Sequence, residues 1–223
     1  ARGARLCLLA RRADALRSTA ADLTVRGATL VNTHVYDAEA AELPDALVQA
    51  AWLQAGGFDI ALIAHGVLPD QGEAETSTAA ALRSFDINAR SVLAVLTPLA
   101  NLFEAQGRGV IGVISSPAGD RGRASNYVYG TAKAAVSNLC SGLRHRLVGK
   151  GVRVLTILPG FVDTPMTASL PKGPLWAKPD RVAADIERAL ARKNGVLYTP
   201  WFWRWIMLLV LHLPQALFLR TRL

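Results

Sequence analysis

The sequence predicts an α/β fold, a single domain built on a doubly wound parallel sheet and followed by an apolar C-terminal tail. Three observations predict it. Short apolar runs alternate with longer stretches of helical periodicity along the first 199 residues. The runs are continuously apolar, as strands buried on both faces are. Arg11, Asp37, Gly66, Ser116 and Pro159–Gly160 all sit where such runs finish, and an open parallel sheet presents its ligand sites at the carboxyl ends of its strands.

Taken in order, Arg5–Ala10 (RLCLLA) is the first strand, and Ala13–Gly27 is a helix stopped by Gly27. Ala28–Val35 is the second strand and Leu43–Gly56 the second helix. Phe58–Ala64 is a third strand running into His65-Gly66, and Thr76–Gln106 is one long helix closed by Gly107 and Gly109. Val110–Ser116 is a strand ending in two serines, followed by the helix Tyr127–Lys150 and the strand Val152–Leu158. Pro179–Asn194 is a helix with proline at its start and glycine just beyond its end, and Val196–Thr199 is a short last strand. Residues 200–223 form the tail.

At 223 residues with 51% hydrophobic and 19% charged, the chain has ample material for one core and is not a disordered sequence. The only cysteines, Cys7 and Cys140, sit in separate apolar runs. They predict reduced, buried thiols and a cytoplasmic setting rather than a disulfide scaffold. No metal-ligand spacing links them to the histidines. The net charge of +8 suits an anionic partner, but the basic residues are scattered. Arg11–Arg12 and Arg144–Arg146 are the densest groups, and neither forms a basic run with interleaved aromatics, so nucleic acid is not the expected partner.

The chemistry concentrates in Tyr129-Gly-Thr-Ala-Lys133, thirteen residues after Ser116. Tyr129 and Lys133 are four apart on a helix and face the same way. A nearby ammonium favours the phenolate, so Lys133 is expected to lower the Tyr129 pKa and fit it for proton transfer. Ser116, at a strand end, is placed to orient the same substrate oxygen. Tyr-x-x-x-Lys by itself is also what a helix with an aromatic face and a solvated lysine looks like.

Val113-Ile-Ser-Ser116, Tyr129-x-x-x-Lys133 and Pro159-Gly-Phe-Val-Asp-Thr-Pro165 nevertheless appear in order, at matching places in the strand–helix pattern. In these motifs the chain resembles the short-chain dehydrogenase/reductase family, over roughly Ala1 to Thr199. The resemblance implies a Rossmann-like domain, an NADP or NAD cofactor, and Ser116, Tyr129 and Lys133 as catalytic residues. It also implies that Asn88, in Phe85-Asp-Ile-Asn88, completes a proton relay through a water leading to Lys133. Arg11 and Arg12 follow the first strand, where the adenosine ribose is expected. A guanidinium there pairs with a 2′-phosphate, which favours NADP. Asp37 is expected to meet the adenine, Gly66 to let the cofactor approach closely, and Gly160, Val162 and Thr164 to flank the nicotinamide. By the same resemblance, the long helices around Asn88 and Tyr129 are expected to form the faces of a homodimer or tetramer.

Two departures stand out. The family opens with a strand and a Gly-rich turn that holds the pyrophosphate, and this sequence contains no such turn. Ala1-Arg-Gly-Ala-Arg-Leu6 matches the segment after that first helix, so an N-terminally incomplete domain with a gap mid-sheet is expected. Ile63-Ala-His-Gly66 stands where the family has Asn-Asn-Ala-Gly, and His65 reads as a local structural residue. A scaffold that kept the fold without turnover is the alternative reading, to be decided by the gene upstream of Ala1. A serine hydrolase is disfavoured, because no Gly-x-Ser-x-Gly elbow surrounds Ser116.

The segment after Thr164, Met166-Thr-Ala-Ser-Leu170-Pro-Lys-Gly-Pro-Leu175-Trp176, reads as an apolar lid for a bulky or lipid-linked substrate, or as packing for the tail. In the tail, Trp201, Trp203 and Trp205 form a headgroup-level belt, and the run Trp205–Leu211 is too short to span a bilayer. Arg204, His212 and Gln215 fall on one stripe, Pro214 ends the helix, and Arg220 and Arg222 are placed for anionic headgroups. The ending resembles that of membrane-associated reductases acting on polyprenyl-phosphate sugars. Peripheral attachment to the cytoplasmic face of a membrane is the expectation, and burial in an oligomer the alternative.

Overall fold

Parallel strands need a crossover after each strand, and the helical segments supply them. The computed structural model describes residues 3–40, 42–192 and 195–221; Ala1, Asn194 and Arg222, on which parts of the expectations fall, lie outside them. Strand β1 (Arg5–Ala10) pairs in parallel with β2 (Leu30–Val35) across helix α1 (Ala13–Val25). After α2 (Asp45–Ala55), strands β3 (Ile60–Ile63), β4 (Gly109–Ile114), β5 (Val152–Pro159) and β6 (Gly195–Thr199) form a second parallel sheet in that order. The β3–β4 crossover holds α3 (Gln71–Thr76), α4 (Thr78–Phe85) and α5 (Ser91–Gln106). Helix α6 (Tyr127–Leu147) links β4 to β5, and α7 (Pro179–Arg192) links β5 to β6. The tail forms α8 (Trp203–His212) and α9 (Gln215–Phe218).

The fold is the expected doubly wound α/β architecture. On one face, Val92, Leu96 and Phe103 of α5 and Val136, Cys140 and Leu147 of α6 pack on β4 and β5. On the other, Val182, Ile186 and Leu190 of α7 cover Val110, Leu155 and Ile157. The gap expected mid-sheet falls between β1 and β3, and only the expectation that every strand is covered on both faces is corrected. Among the described residues no ladder joins β1 to β3, and β1 and β2 are only partly buried. Cys7 on β1 is accordingly half-buried, whereas Cys140 is buried. Side chains tie the two leaves together: the Tyr36 ring, just after β2, meets His65, just after β3, edge to face at 5.9 Å.

The single helix expected over Thr76–Gln106 is broken twice. Ser77 is extended (φ −124°, ψ 109°), and its hydroxyl accepts from Ala80 N at 3.3 Å, starting a new helix. Asp86–Arg90 then widens into a π turn carrying the buried Ile87, Asn88 and Ala89. The densest basic group is structural: Arg144 donates to Val154 O, Thr156 Oγ1 and Gly195 O, and Arg146 pairs with Glu104.

Candidate active site

The carboxyl end of β4 and the first turns of α6 face each other, and the site forms between them. The two serines that end β4 divide the work. Ser115 is buried and spends its hydroxyl on Lys133 O (2.9 Å) and Ser137 Oγ (2.8 Å), binding β4 to α6. Ser116 accepts from Ala118 N within its own turn (3.1 Å), and its hydroxyl stands close enough to Tyr129 to act on the phenol. One helical turn beyond Tyr129, the buried Lys133 directs Nζ at Ile114 O (3.2 Å), 5.6 Å from the centre of the Tyr129 ring.

Gly66 completes the cluster. A Cβ there would lie 2.7 Å from Asn88 Oδ1 and 3.4 Å from Lys133 Nζ, so only glycine lets this turn pass between them. Asn88 is fully buried, not a surface amide. It donates to Val67 O (2.9 Å) and Ser84 O (3.0 Å) and accepts from Val67 N (3.0 Å), so the π turn clamps the loop that follows β3. π turns concentrate at functional sites because they reorient one residue without ending the helix.

The electrostatics depart from expectation. Burial pushes Tyr129 up to about 12, against the pull of the Ser116 hydrogen bond, and Lys133 is not among the groups that move it. The ammonium is itself buried, which drops Lys133 to about 8, and it is engaged with a carbonyl instead of the phenol. The phenol is therefore held in its protonated form. His65 is a structural residue: Nε2 lies 2.8 Å from Ser91 Oγ, and burial, reinforced by the Lys133 charge, takes it down to about 4.

Arg11 and Asp37 do not join this cluster; they lie at the carboxyl ends of β1 and β2, linked through Glu39. Asp37 Oδ1 accepts from Glu39 N (3.0 Å), and Glu39 takes Arg83 at 2.6 Å and Arg11 at 3.4 Å. Glu39 and Arg83 had escaped sequence reasoning, because they meet across 44 residues.

The Pro159–Gly160 end of β5 borders a third group. Ala177 bridges the neighbours of Val162, through Ala177 N to Phe161 O and Asp163 N to Ala177 O, each 2.9 Å. The Val162 N–H is thereby turned away from Ala177. Thr167 Oγ1 donates to Val162 O (2.6 Å) and accepts from Thr164 N (3.2 Å), which fixes Thr164 beside Val162. Phe161 stacks on Trp176 of that segment (5.4 Å) and meets Trp203 of the tail edge to face (5.4 Å). Trp203 presses on Gly160 so closely that a Cβ would lie 1.9 Å from Nε1. The expected belt of three tryptophans is thus corrected: Trp203 is buried against the domain, while Trp201 and Trp205 are exposed. Trp176 stacks on Phe161, and Phe161 in turn meets the tail. No helix among the described residues is long and apolar enough to cross a membrane.

A doubly wound sheet with Ser116, Tyr129 and Lys133 at its carboxyl edge defines a class, and this chain belongs to the short chain dehydrogenase family, whose sequence model matches residues 1–174. It is an oxidoreductase of that type. A Mycobacterium tuberculosis protein described as an uncharacterised oxidoreductase is 39% identical over 220 residues, covering 99% of this chain and 88% of the relative. Among solved structures, an alcohol dehydrogenase from the archaeon Thermococcus sibiricus, complexed with 5-hydroxy-NADP, superposes with a TM-score of 0.78 at 23% identity, over 88% of this chain and 85% of its own. A short chain dehydrogenase from Burkholderia cenocepacia in complex with NADP gives a TM-score of 0.77 at 20% identity, over 97% of both chains.

Proposed function

We propose that the protein transfers hydride between NADP(H) and the carbonyl or secondary alcohol of an apolar or lipid-linked substrate. The observation that carries this reading is the chain of contacts from Ser116 to the Tyr129 phenol, from the Tyr129 ring to Lys133 at 5.6 Å, and from Lys133 and Asn88 to Gly66. In the reducing direction Tyr129, held protonated by burial, donates its proton to the oxygen that becomes an alkoxide. Ser116 orients and stabilises that oxygen. The ammonium of Lys133 then returns a proton to the phenolate, and Asn88 positions a water through which Lys133 is reprotonated from solvent.

The donor set fits NADP at both ends. Arg11, largely exposed and held only loosely by Glu39, is free to pair with a 2′-phosphate, and Asp37 keeps one carboxylate oxygen for the adenine amine. At the other end, Gly160, the Val162 N–H and the Thr164 hydroxyl border the nicotinamide position. Lys133 reaches the ribose hydroxyls, and Gly66 admits the close approach. When bound, the cofactor supplies the hydride; placement and proton handling belong to this chain. Both solved neighbours described above hold NADP or its 5-hydroxy derivative.

Residues 1–199 are read as the cofactor domain, assembling as a homodimer or tetramer, and 200–223 as a tail that rests on the cytoplasmic surface of a membrane. The exposed Trp201, Trp205 and Leu209 support the last point. Tyr129→Phe tests the mechanism: turnover of a long-chain ketone with NADPH falls about a hundredfold or more while NADPH affinity holds. Near-native turnover in the variant refutes the proton role.

A further inference from the structure

Helix α7 carries Arg181, Arg188 and Arg192 along one groove of about 350 Å³, whose far wall is Tyr198 and Trp201. Neither the cofactor ends nor the proton-transfer cluster uses any of these residues. Of the residues lining the groove, Asp185 is the carboxylate, and it pairs with two of the three arginines. Asp185 is largely buried and takes Arg188 on Oδ1 and Arg181 on Oδ2 (3.5 Å), while Thr199 Oγ1 also donates to Oδ2 at 2.8 Å. The carboxylate therefore faces inward, and the side chains of Arg181 and Arg188 stand 59% and 68% exposed. Three cations around one inward carboxylate leave the groove positive.

The groove runs directly into an apolar ridge. Trp201 lines it just before α8, on whose outer face Trp205, Leu208 and Leu209 follow, exposed by 60%, 48% and 70%. The ridge is held in place. The Arg121 guanidinium donates to Val210 O (2.5 Å) and Leu213 O (2.8 Å) at the end of α8 and lies 3.8 Å over the Phe218 ring of α9. Trp203 and Met207 on the opposite face are buried in the domain.

We propose that the α7 groove binds the phosphate headgroup of an anionic phospholipid while the α8 ridge sinks into the acyl boundary, fixing one orientation of the protein on the bilayer. This rests on the membrane reading given above and adds to it the site, the charge requirement and the residues. The choice of a bilayer over a second copy of the chain follows from charge. An isologous contact would place the arginine row against its own image, whereas an anionic surface complements it. Arginine forks match phosphate oxygens in pairs, and each cation near an anionic leaflet strengthens partition by about fivefold.

Co-sedimentation of the full chain with phosphatidylcholine vesicles, alone or mixed with phosphatidylglycerol, tests the site. The native protein is expected to pellet with the mixed vesicles and not with phosphatidylcholine alone. The triple variant Arg181→Gln/Arg188→Gln/Arg192→Gln is expected to partition at least about tenfold less, with turnover of a soluble ketone unchanged as the control for folding. Leu209→Asp, on the ridge alone, is expected to weaken binding to the mixed vesicles although the arginine groove is intact. Native-like partition of the triple variant overturns the headgroup site and leaves the membrane reading standing. Failure of the native protein to pellet with either vesicle overturns both. Gel filtration supplies the remaining outcome: an oligomer that Leu209→Asp dissolves, without vesicle binding, gives the surface to a second copy and overturns the proposal.

Discussion

Burying an imidazole against a buried ammonium makes His65 a measure of the site's desolvation. Its pKa falls to about 4 in the folded chain, from an unfolded value of 6.5. The native state therefore disfavours the protonated ring. Stability is complete above pH 6.5, and it is lost as pH falls from 6.5 toward 4, while the unfolded chain takes up a proton that the folded chain refuses. The shift corresponds to roughly 3 kcal/mol. Urea unfolding measured through this window is expected to show that loss, and His65→Gln to flatten it; an unchanged slope in the variant would assign the acid sensitivity elsewhere. The ribose end offers a second residue-scale test. Arg11 is the more loosely held of the two guanidiniums on Glu39, at 3.4 Å against 2.6 Å for Arg83. Arg11→Ala is expected to reduce the NADP-over-NAD ratio of kcat/KM about five- to tenfold, a modest figure because the pair is exposed. A native preference for NAD would reverse the cofactor assignment.

At the scale of elements, what could be read in advance was what periodicity encodes. Every strand and most helices fell where apolar runs and their glycine or proline punctuation put them. Tyr129 and Lys133 were legible because a four-residue spacing on a helix is a geometric statement. The π turn at Asp86–Arg90 was not, since it depends on Asn88 clamping the Val67 backbone across 21 residues. The break at Ser77 was signalled by a serine cap, but continuous helical periodicity on both sides hid it. The direction of the Tyr129 shift was misread, because spacing places an ammonium nearby without revealing that a carbonyl already holds it. The tail's attachment was the least visible, since Arg121 reaches carbonyls about 90 residues away. That contact supports a test. A guanidinium at a helix C-terminus satisfies orphan carbonyls, opposes the macrodipole and here also covers the Phe218 ring. Arg121→Ala is expected to cost α8 about 1–2 kcal/mol of local stability, read as at least a fivefold loss of amide protection in hydrogen exchange confined to α8 and α9. Uniform protection across the chain would mean that the latch contributes nothing.

For the molecule as a whole, the question is whether the tail is an appendage or part of the fold. An appendage that only meets lipid would leave the domain equally stable without it in solution. The packing argues otherwise. Trp203 is 5% exposed and Met207 3% exposed, and Trp203 closes over Gly160 and the Phe161–Trp176 stack beside the proposed nicotinamide position. Burying side chains of this size contributes about 1.5–3 kcal/mol each. Truncation after Thr199 also opens the far side of that aromatic stack to water. The truncated protein is therefore expected to lose on the order of 4 kcal/mol and to melt roughly 10 °C lower in scanning calorimetry, in the absence of any vesicle. It is also expected to show a raised KM for long-chain ketones, because the wall formed by Phe161, Trp176 and Trp203 loses one member. The single change Trp205→Ala, on the exposed face of the same helix, controls for the surface role and is expected to leave both the melting temperature and the KM in solution unchanged. If truncation matches that control, the tail is an appendage, and its closure over Gly160 has no part in holding the site together.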